Sequence, residues 1–215
     1  MENVLVAGAT GTTGNKVVNL LKESQYFNPV AMVRKPEQKE QFHEDGIDCV
    51  LTDLEKDVAD AFNDKQIQKV VFAAGSGGKK VEAVDRDGAI KLIKASKQNN
   101  IHKFVMLSSM GADRPEQADE LKEYLKAKHE ADEFLKNSGI NYCIVRPGSL
   151  TDEKLTNTIK LEEKIGEMGE ISRENVAQTL VHTLNDDVAN GATFEIIKGD
   201  TLIGKALDKV STMEA

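Results

Sequence analysis

The first fourteen residues constrain the fold more than any other stretch. A short apolar run, Val4-Leu5-Val6-Ala7, leads directly into Gly8-Ala9-Thr10-Gly11-Thr12-Thr13-Gly14 and then into an amphipathic segment. A buried strand feeding a tight glycine turn and a helix aims backbone N–H groups and the positive end of the helix dipole at one point, which suits a pyrophosphate. Each glycine has a mechanical reason: Gly8 lets the chain leave the strand sharply, Gly11 lets the backbone approach phosphates, and Gly14 lets the helix lie close to the sheet. Thr10, Thr12 and Thr13 share that phosphate-facing turn. The competing reading is a glycine-rich turn that binds nothing.

The rest of the chain repeats the alternation. Apolar runs predict strands near residues 3 to 7, 29 to 33, 48 to 52, 69 to 74, 103 to 108 and 141 to 146. Helical periodicity falls near residues 13 to 24, 37 to 44, 82 to 99 and 118 to 137. Such alternation predicts an α/β fold, a Rossmann-type doubly wound parallel sheet covered on both faces, with its ligand across the carboxyl ends of the strands. Beyond Gly148 the pattern loosens. Residues 152 to 170 are charged and accommodate one short strand, and Ser172 reads as the N-cap of a helix running to about Leu184. Thr193 to Ile197 reads as a last strand and Leu202 to Val210 as a terminal helix. No linker, repeat or low-complexity segment divides residues 1–215, so one nucleotide-binding domain is expected, with residues 149–215 forming a short substrate-side extension.

Composition narrows the partners. The formal net charge is −8, with no basic block and no interleaved aromatics, which argues against direct nucleic-acid binding. No apolar stretch approaches the length of a membrane span, and the N-terminal apolar run is a strand rather than a signal peptide, so a cytoplasmic protein is expected. Cys49 and Cys143 each sit in or beside an expected strand, and two buried thiols fit better than a disulfide. His43, His102, His129 and His182 are scattered without metal-ligand spacing, and no metal is expected. Oligomeric state is left open.

Cofactor choice turns on the end of the second expected strand, where folds selective for NAD place an acid that accepts from the ribose 2′-hydroxyl. This chain has Val33-Arg34-Lys35-Pro36. No acid is there to repel a 2′-phosphate, and the Arg34 fork can hold one in a bidentate manner, so NADP is expected over NAD. Otherwise Arg34 covers the adenine face or the surface.

Reaction chemistry falls on Tyr124-Leu125-Lys126-Ala127-Lys128. Residues four apart on a helix share a face, and an ammonium beside a phenol favours the phenolate, making the hydroxyl a usable proton donor or acceptor. Lysines crowd this segment, so chance is a rival. Leu121, Leu125, Ala127, Ala131, Phe134 and Leu135 define one side of the helix, however, and Tyr124 and Lys128 project from that same side. A lysine facing inward is costly unless it is paired or reaches a wet site.

The string VLVAGATGTTG, with Val70-Val71-Phe72-Ala73-Ala74-Gly75, Phe104-Val105-Met106-Leu107-Ser108-Ser109, Tyr124-x-x-x-Lys128 and Val145-Arg146-Pro147-Gly148 following in order, resembles the short-chain dehydrogenase/reductase superfamily. The likeness spans almost the whole chain. It is strongest to the extended and atypical branches, among NmrA-like regulators and biliverdin or flavin reductases. The resemblance implies a Ser, Tyr and Lys arrangement: Tyr124 as acid, Lys128 beside it and on the nicotinamide ribose, and Ser109, with Ser108 as the alternative, positioning the substrate oxygen. It further implies that Asp53, with Leu54 beside it, meets the adenine, that Ala73, Ala74 and Gly75 line the crevice, and that Pro147 and Gly148 meet the nicotinamide carboxamide. Without the resemblance, Asp53, Pro147 and Gly148 read as ordinary turn residues. Gly75-Ser76-Gly77-Gly78 reads either as a flexible rim or as a loop only. Tyr124 follows Ser109 by fifteen positions, slightly more than in many members. The function implied is an oxidoreductase, NADPH-preferring, transferring hydride to a small organic molecule. The alternatives are a non-catalytic redox-sensing regulator and a sugar-nucleotide epimerase.

Overall fold

The structure, a computed structural model, describes residues 1–63 and 65–211. Its elements follow in order as β1 (Glu2–Ala7), α1 (Thr12–Lys22), β2 (Phe27–Val33), α2 (Pro36–Glu44), β3 (Asp48–Leu51), β4 (Lys69–Phe72), α3 (Asp87–Gln98), β5 (Lys103–Leu107), α4 (Lys122–Lys136) and β6 (Tyr142–Pro147). The carboxyl-terminal part adds β7 (Ser149–Thr151), β8 (Thr158–Glu162), β9 (Glu170–Ser172), α5 (Arg173–His182), β10 (Ala192–Lys198), β11 (Thr201–Leu202) and α6 (Ile203–Ser211).

A single nine-stranded sheet runs β11-β8-β10-β6-β5-β4-β1-β2-β3. From β10 to β3 every pairing is parallel, and β8 and β11 close the far edge antiparallel. Order reverses between β1 and β4, so the loops after those two strands diverge and leave a crevice at their carboxyl ends.

Strand sequences are apolar at successive positions because both faces of the sheet are covered. Val4 and Val6 of β1 join one core with Val17, Val18 and Leu21 of α1, Val176 and Leu180 of α5 and Leu207 of α6. Leu5 and Ala7 join the opposite core with Ala89, Leu92 and Ile93 of α3 and Ala131 and Leu135 of α4. The same alternation sends Val105 of β5 to the first core and Phe104 and Met106 to the second. Cys49 and Cys143 lie buried in β3 and β6 and form no disulfide. Burial pushes the Cys49 thiol up to about 11.

Three departures from the sequence-based expectation have local causes. The helix expected from residue 118 begins at Lys122, because Pro115–Gln117 form a separate 3-10 turn, and Leu121, expected on the inner face, is 59% exposed just before the helix. The helix expected over 82 to 99 opens as a π-turn at Val81–Arg86 before regular α geometry starts at Asp87. The one short strand expected within residues 152 to 170 is β8, but β7 and β9 flank it unexpectedly and pair in parallel as a separate two-stranded sheet. These strands are too short for a periodic signal and exist through their partners.

Candidate active site

A cleft of about 550 Å³ lies across the carboxyl ends of β1 to β5, lined by the residue that follows each strand: Gly8, Arg34, Thr52, Ala73 and Ser108. At its centre is the glycine turn. Gly8 holds a φ of +86°, and a Cβ there would stand 2.6 Å from the Ala74 amide nitrogen, so only glycine lets β1 and β4 come this close. A Cβ on Gly14 would collide with the Gly8 carbonyl oxygen. Gly14 therefore does not line the cleft; it shapes the turn from behind, while Gly8, Thr10, Gly11, Thr12 and Thr13 face inward.

The start of α1 is uncapped. Gly11 occupies the N-cap and no side chain accepts from the first-turn N–H groups, whereas Ser172 caps α5 by accepting from the Asn175 amide at 3.1 Å. An open helix N-terminus at the floor of a cleft is an anion site by construction. The expected adenosine-side residues also reach the cleft: Arg34, Asp53 and Leu54 line it, as do Ala73, Ala74 and Gly75. The Arg34 guanidinium has no partner among the described residues, and Asp53 is held by accepting from the Glu55 amide at 3.0 Å. Two hydroxyls on the lining, Thr52 Oγ1 and Ser76 Oγ, are buried with no hydrogen-bond partner. Unsatisfied buried donors at a cleft wall are the places a polar ligand completes.

Tyr124 and Lys128 both line the cleft, one turn apart on α4. Lys128 is 2% exposed, donates to the Leu107 carbonyl at 3.0 Å, lies 3.9 Å from Asp85 Oδ1, and sits over the Phe72 and Tyr124 rings at 5.7 and 5.8 Å. Asp85, fully buried on the π-turn, accepts from the Ser76 amide through Oδ2 at 3.1 Å, and its Oδ1 has no hydrogen bond. It thus ties the loop after β4 to the lysine. A π-turn at this point is in keeping with the frequent placement of such bulges at functional sites.

The serine assignment changes. Ser109, expected to position the substrate, is absent from the lining, and its hydroxyl donates to the Met110 carbonyl at 3.2 Å. Ser108 lines the cleft instead, and its hydroxyl donates to Asp132 Oδ2 at 2.8 Å. The same oxygen takes Arg146 Nε and Nη2 at 3.0 and 2.9 Å. Burial pushes the Asp132 carboxyl above the usual carboxylate range, against the opposing pull of Arg146. With its proton committed to Asp132, Ser108 presents lone pairs to the cleft and acts there as an acceptor. Pro147 and Gly148 also stand off the lining, because Gly148 is pressed against the Gly169 carbonyl by the β7–β9 pairing. Leu150 of β7 and Arg173 of α5 take the wall there.

Asp85, Asp132 and Arg173 escaped sequence reasoning. An arginine inside a doubly covered strand, Arg146, was a local sign that some buried acid must exist, but nothing near it names Asp132. Arg173 was more accessible, since a helix capped at Ser172 and returning beneath a parallel sheet starts at the carboxyl edge.

Residues 8–187 match the model of a family described as NAD(P)H-binding. The chain belongs to that family. It is 38% identical over 215 residues to an uncharacterised sugar epimerase, YhfK, of Bacillus subtilis, covering 96% of this chain and 99% of the relative. A Bacillus halodurans structure named for NAD-dependent epimerase/dehydratase superposes with a TM-score of 0.91 at 38% identity, covering 97% of this chain and 100% of that one. ChuY, an anaerobillin reductase of Escherichia coli, shares the fold with a TM-score of 0.80 at 21% identity, covering 92% of this chain and 98% of that one. The uncapped helix, the close glycine turn and the orphaned hydroxyls fit the family's dinucleotide. Among the described residues no helix is long and apolar enough to cross a membrane.

Proposed function

We propose that this member of the NAD(P)H-binding family is an NADPH-preferring oxidoreductase that reduces a small organic molecule. The observation carrying this reading is Lys128: a lysine buried on the cleft lining, one helical turn from Tyr124, with a single hydrogen bond to a carbonyl. The NADPH preference rests on Arg34, which lines the cleft after β2 with its guanidinium unpartnered among the described residues, in a strand end, Val33-Arg34-Lys35-Pro36, that carries no acid. The first turn of α1 would hold the pyrophosphate, Arg34 the 2′-phosphate and Lys128 the nicotinamide ribose.

Reduction of a carbonyl takes a hydride at carbon and a proton at oxygen, and the bound reduced nicotinamide supplies the hydride. Tyr124 supplies the proton. Its hydroxyl makes no hydrogen bond to the protein among the described residues, so it is available to the substrate oxygen, and the nearby Lys128 ammonium stabilises the phenolate left behind. Ser108 accepts from a donor on the substrate or the nicotinamide carboxamide and does not donate to the carbonyl. The epimerase reading has the names of its Bacillus relatives in its favour. Against it, among the described residues after β6 only Leu150 and Arg173 line the cleft, little wall for a nucleotide sugar.

The test is turnover. On a panel of quinones, flavins and aldehydes with NADPH, Tyr124→Phe should keep cofactor affinity and lose about a hundredfold or more in kcat, the scale of a lost general acid. Retention of most activity by Tyr124→Phe would remove the proton-transfer role, and absence of any NADPH oxidation alongside tight, partner-capturing cofactor binding would favour a redox sensor.

A further inference from the structure

Five cations line a cleft in a chain whose net charge is −8: Arg34, Lys79, Lys80, Lys128 and Arg173. Lys80 is already engaged with Glu55 at 2.7 Å. The dinucleotide reading, on which a role for the remaining cations rests, assigns Arg34 and Lys128. Lys79 and Arg173 are left without a role; Lys79 is exposed on the loop after β4, whereas Arg173 stands on the β6 side of the cleft, across from Arg34. It follows β9 directly, where Ser172 pairs with Thr151 and Ile171 with Leu150, so Arg173 stands beside Leu150 at the wall beyond β6, while Arg34 closes the far side after β2.

The Arg173 side chain is 25% exposed, and among the described residues its guanidinium makes a single hydrogen bond, from Nη1 to Asp152 Oδ1 at 2.9 Å. Asp152 is 76% exposed, and a pair of that kind contributes little and exchanges readily. Most of the guanidinium fork therefore remains for a ligand. Ser172 caps α5 by engaging the Asn175 amide, and the guanidinium of Arg173 is the group of this helix start that lines the cleft. Leu107 and Leu150, both partly buried on the lining, give the same end of the cleft an apolar wall.

We infer that the substrate is a carboxylate with an apolar body, its carboxyl group held by the Arg173 fork and its body against Leu107 and Leu150. A planar guanidinium matches a carboxylate with two parallel hydrogen bonds, a geometry that lysine cannot reproduce. Asp152 serves as the resting partner that the substrate carboxylate displaces.

The inference is tested by calorimetry on protein saturated with NADP⁺, using benzoate, 3-phenylpropionate and 2-naphthoate, each against its primary amide. NADP⁺ binding, measured first, reports on the dinucleotide reading separately. At least one acid should bind about tenfold or more tightly than its amide, Arg173→Ala should erase that preference, and Arg173→Lys should restore it only in part. The NADP⁺ affinity of Arg173→Ala should stay within about threefold of the parent. Equal binding of acids and amides, or no binding of any acid to the loaded protein, would overturn the inference. A tenfold or greater loss of NADP⁺ affinity in Arg173→Ala would do the same, placing the arginine on the pyrophosphate.

Discussion

Buried lysines stand at both ends of the same sheet, and they are treated in opposite ways. At the amino edge Lys69 and Lys103 begin β4 and β5 side by side in register, and they are 1% and 0% exposed. Lys69 Nζ meets the Leu184 carbonyl at 2.8 Å, Asp186 at 2.5 Å and Glu2 at 2.7 Å. Lys103 Nζ donates to the carbonyls of Asn185 and Val188 at 2.9 and 2.5 Å and to Asn190 Oδ1 at 2.7 Å. An ammonium has three protons, and each of these lysines has three acceptors. At the carboxyl edge Lys128 has one carbonyl at 3.0 Å and a carboxylate oxygen beyond hydrogen-bond reach at 3.9 Å.

A saturated buried cation is architecture, and an unsaturated one marks a site. Lys69 and Lys103 fasten the turn that follows α5, giving donors to the Leu184, Asn185 and Val188 carbonyls past its carboxyl end and favouring the negative end of its dipole. They fix the position of the helix that carries Arg173 at its other end. Burial brings Lys103 down to about 8, which leaves it charged at neutrality and able to fill all three acceptors. Lys128 has a single hydrogen-bond acceptor among the described residues, and the proposed function gives its remaining protons to the cofactor.

The contrast is sharpened most by removing an architectural lysine. Lys103→Met should cost about 3–5 kcal/mol of unfolding free energy in urea, the scale of losing three hydrogen bonds from a charged donor, because the Val188 carbonyl is left with no donor among the described residues while the Asn185 carbonyl and Asn190 Oδ1 keep only the Val188 amide and the Asn141 side chain. A loss below about 1 kcal/mol would show that the amino-edge lysine is not structural. A smaller effect is expected at the rim. Arg34→Ala should leave stability unchanged while lowering the preference for NADP⁺ over NAD⁺ by about 1.5–3 kcal/mol, or roughly one to two powers of ten. Equal affinity of the parent protein for both dinucleotides would contradict the assignment.

The carboxyl edge was more legible in the sequence than the amino edge, for a physical reason. Gly8, Gly11, Gly14, Arg34, Tyr124 and Lys128 belong to short local patterns in which a strand end, a turn or a helical turn fixes which way each residue faces. The amino-edge network joins each lysine to a turn more than eighty positions away, so a lysine opening an apolar strand gave no hint that the turn after α5 would cover it. Ser108 and Ser109 failed for a related cause. Adjacent residues leaving a strand point to opposite sides, and only the buried Asp132–Arg146 pair, assembled from α4 and β6, decides which hydroxyl is drawn to the cleft. The segment 149–172 was the least readable, since its strands of three to five residues carry no period and depend on the pairing of β7 with β9 and β8 with β10.

The division between the two edges is tested most directly by measuring how much NADP⁺ adds to unfolding free energy in Lys103→Met and in Lys128→Met. At a ligand concentration a hundredfold above the parent's Kd, the parent should gain about 2.7 kcal/mol from mass action. Lys103→Met should start from a lower stability yet keep that gain. Lys128→Met, with cofactor affinity weakened about tenfold, should gain only about 1.4 kcal/mol whatever its starting stability. A full gain in Lys128→Met, or a lost gain in Lys103→Met, would contradict the assignment of the unsaturated lysine to the cofactor and the saturated one to the fold.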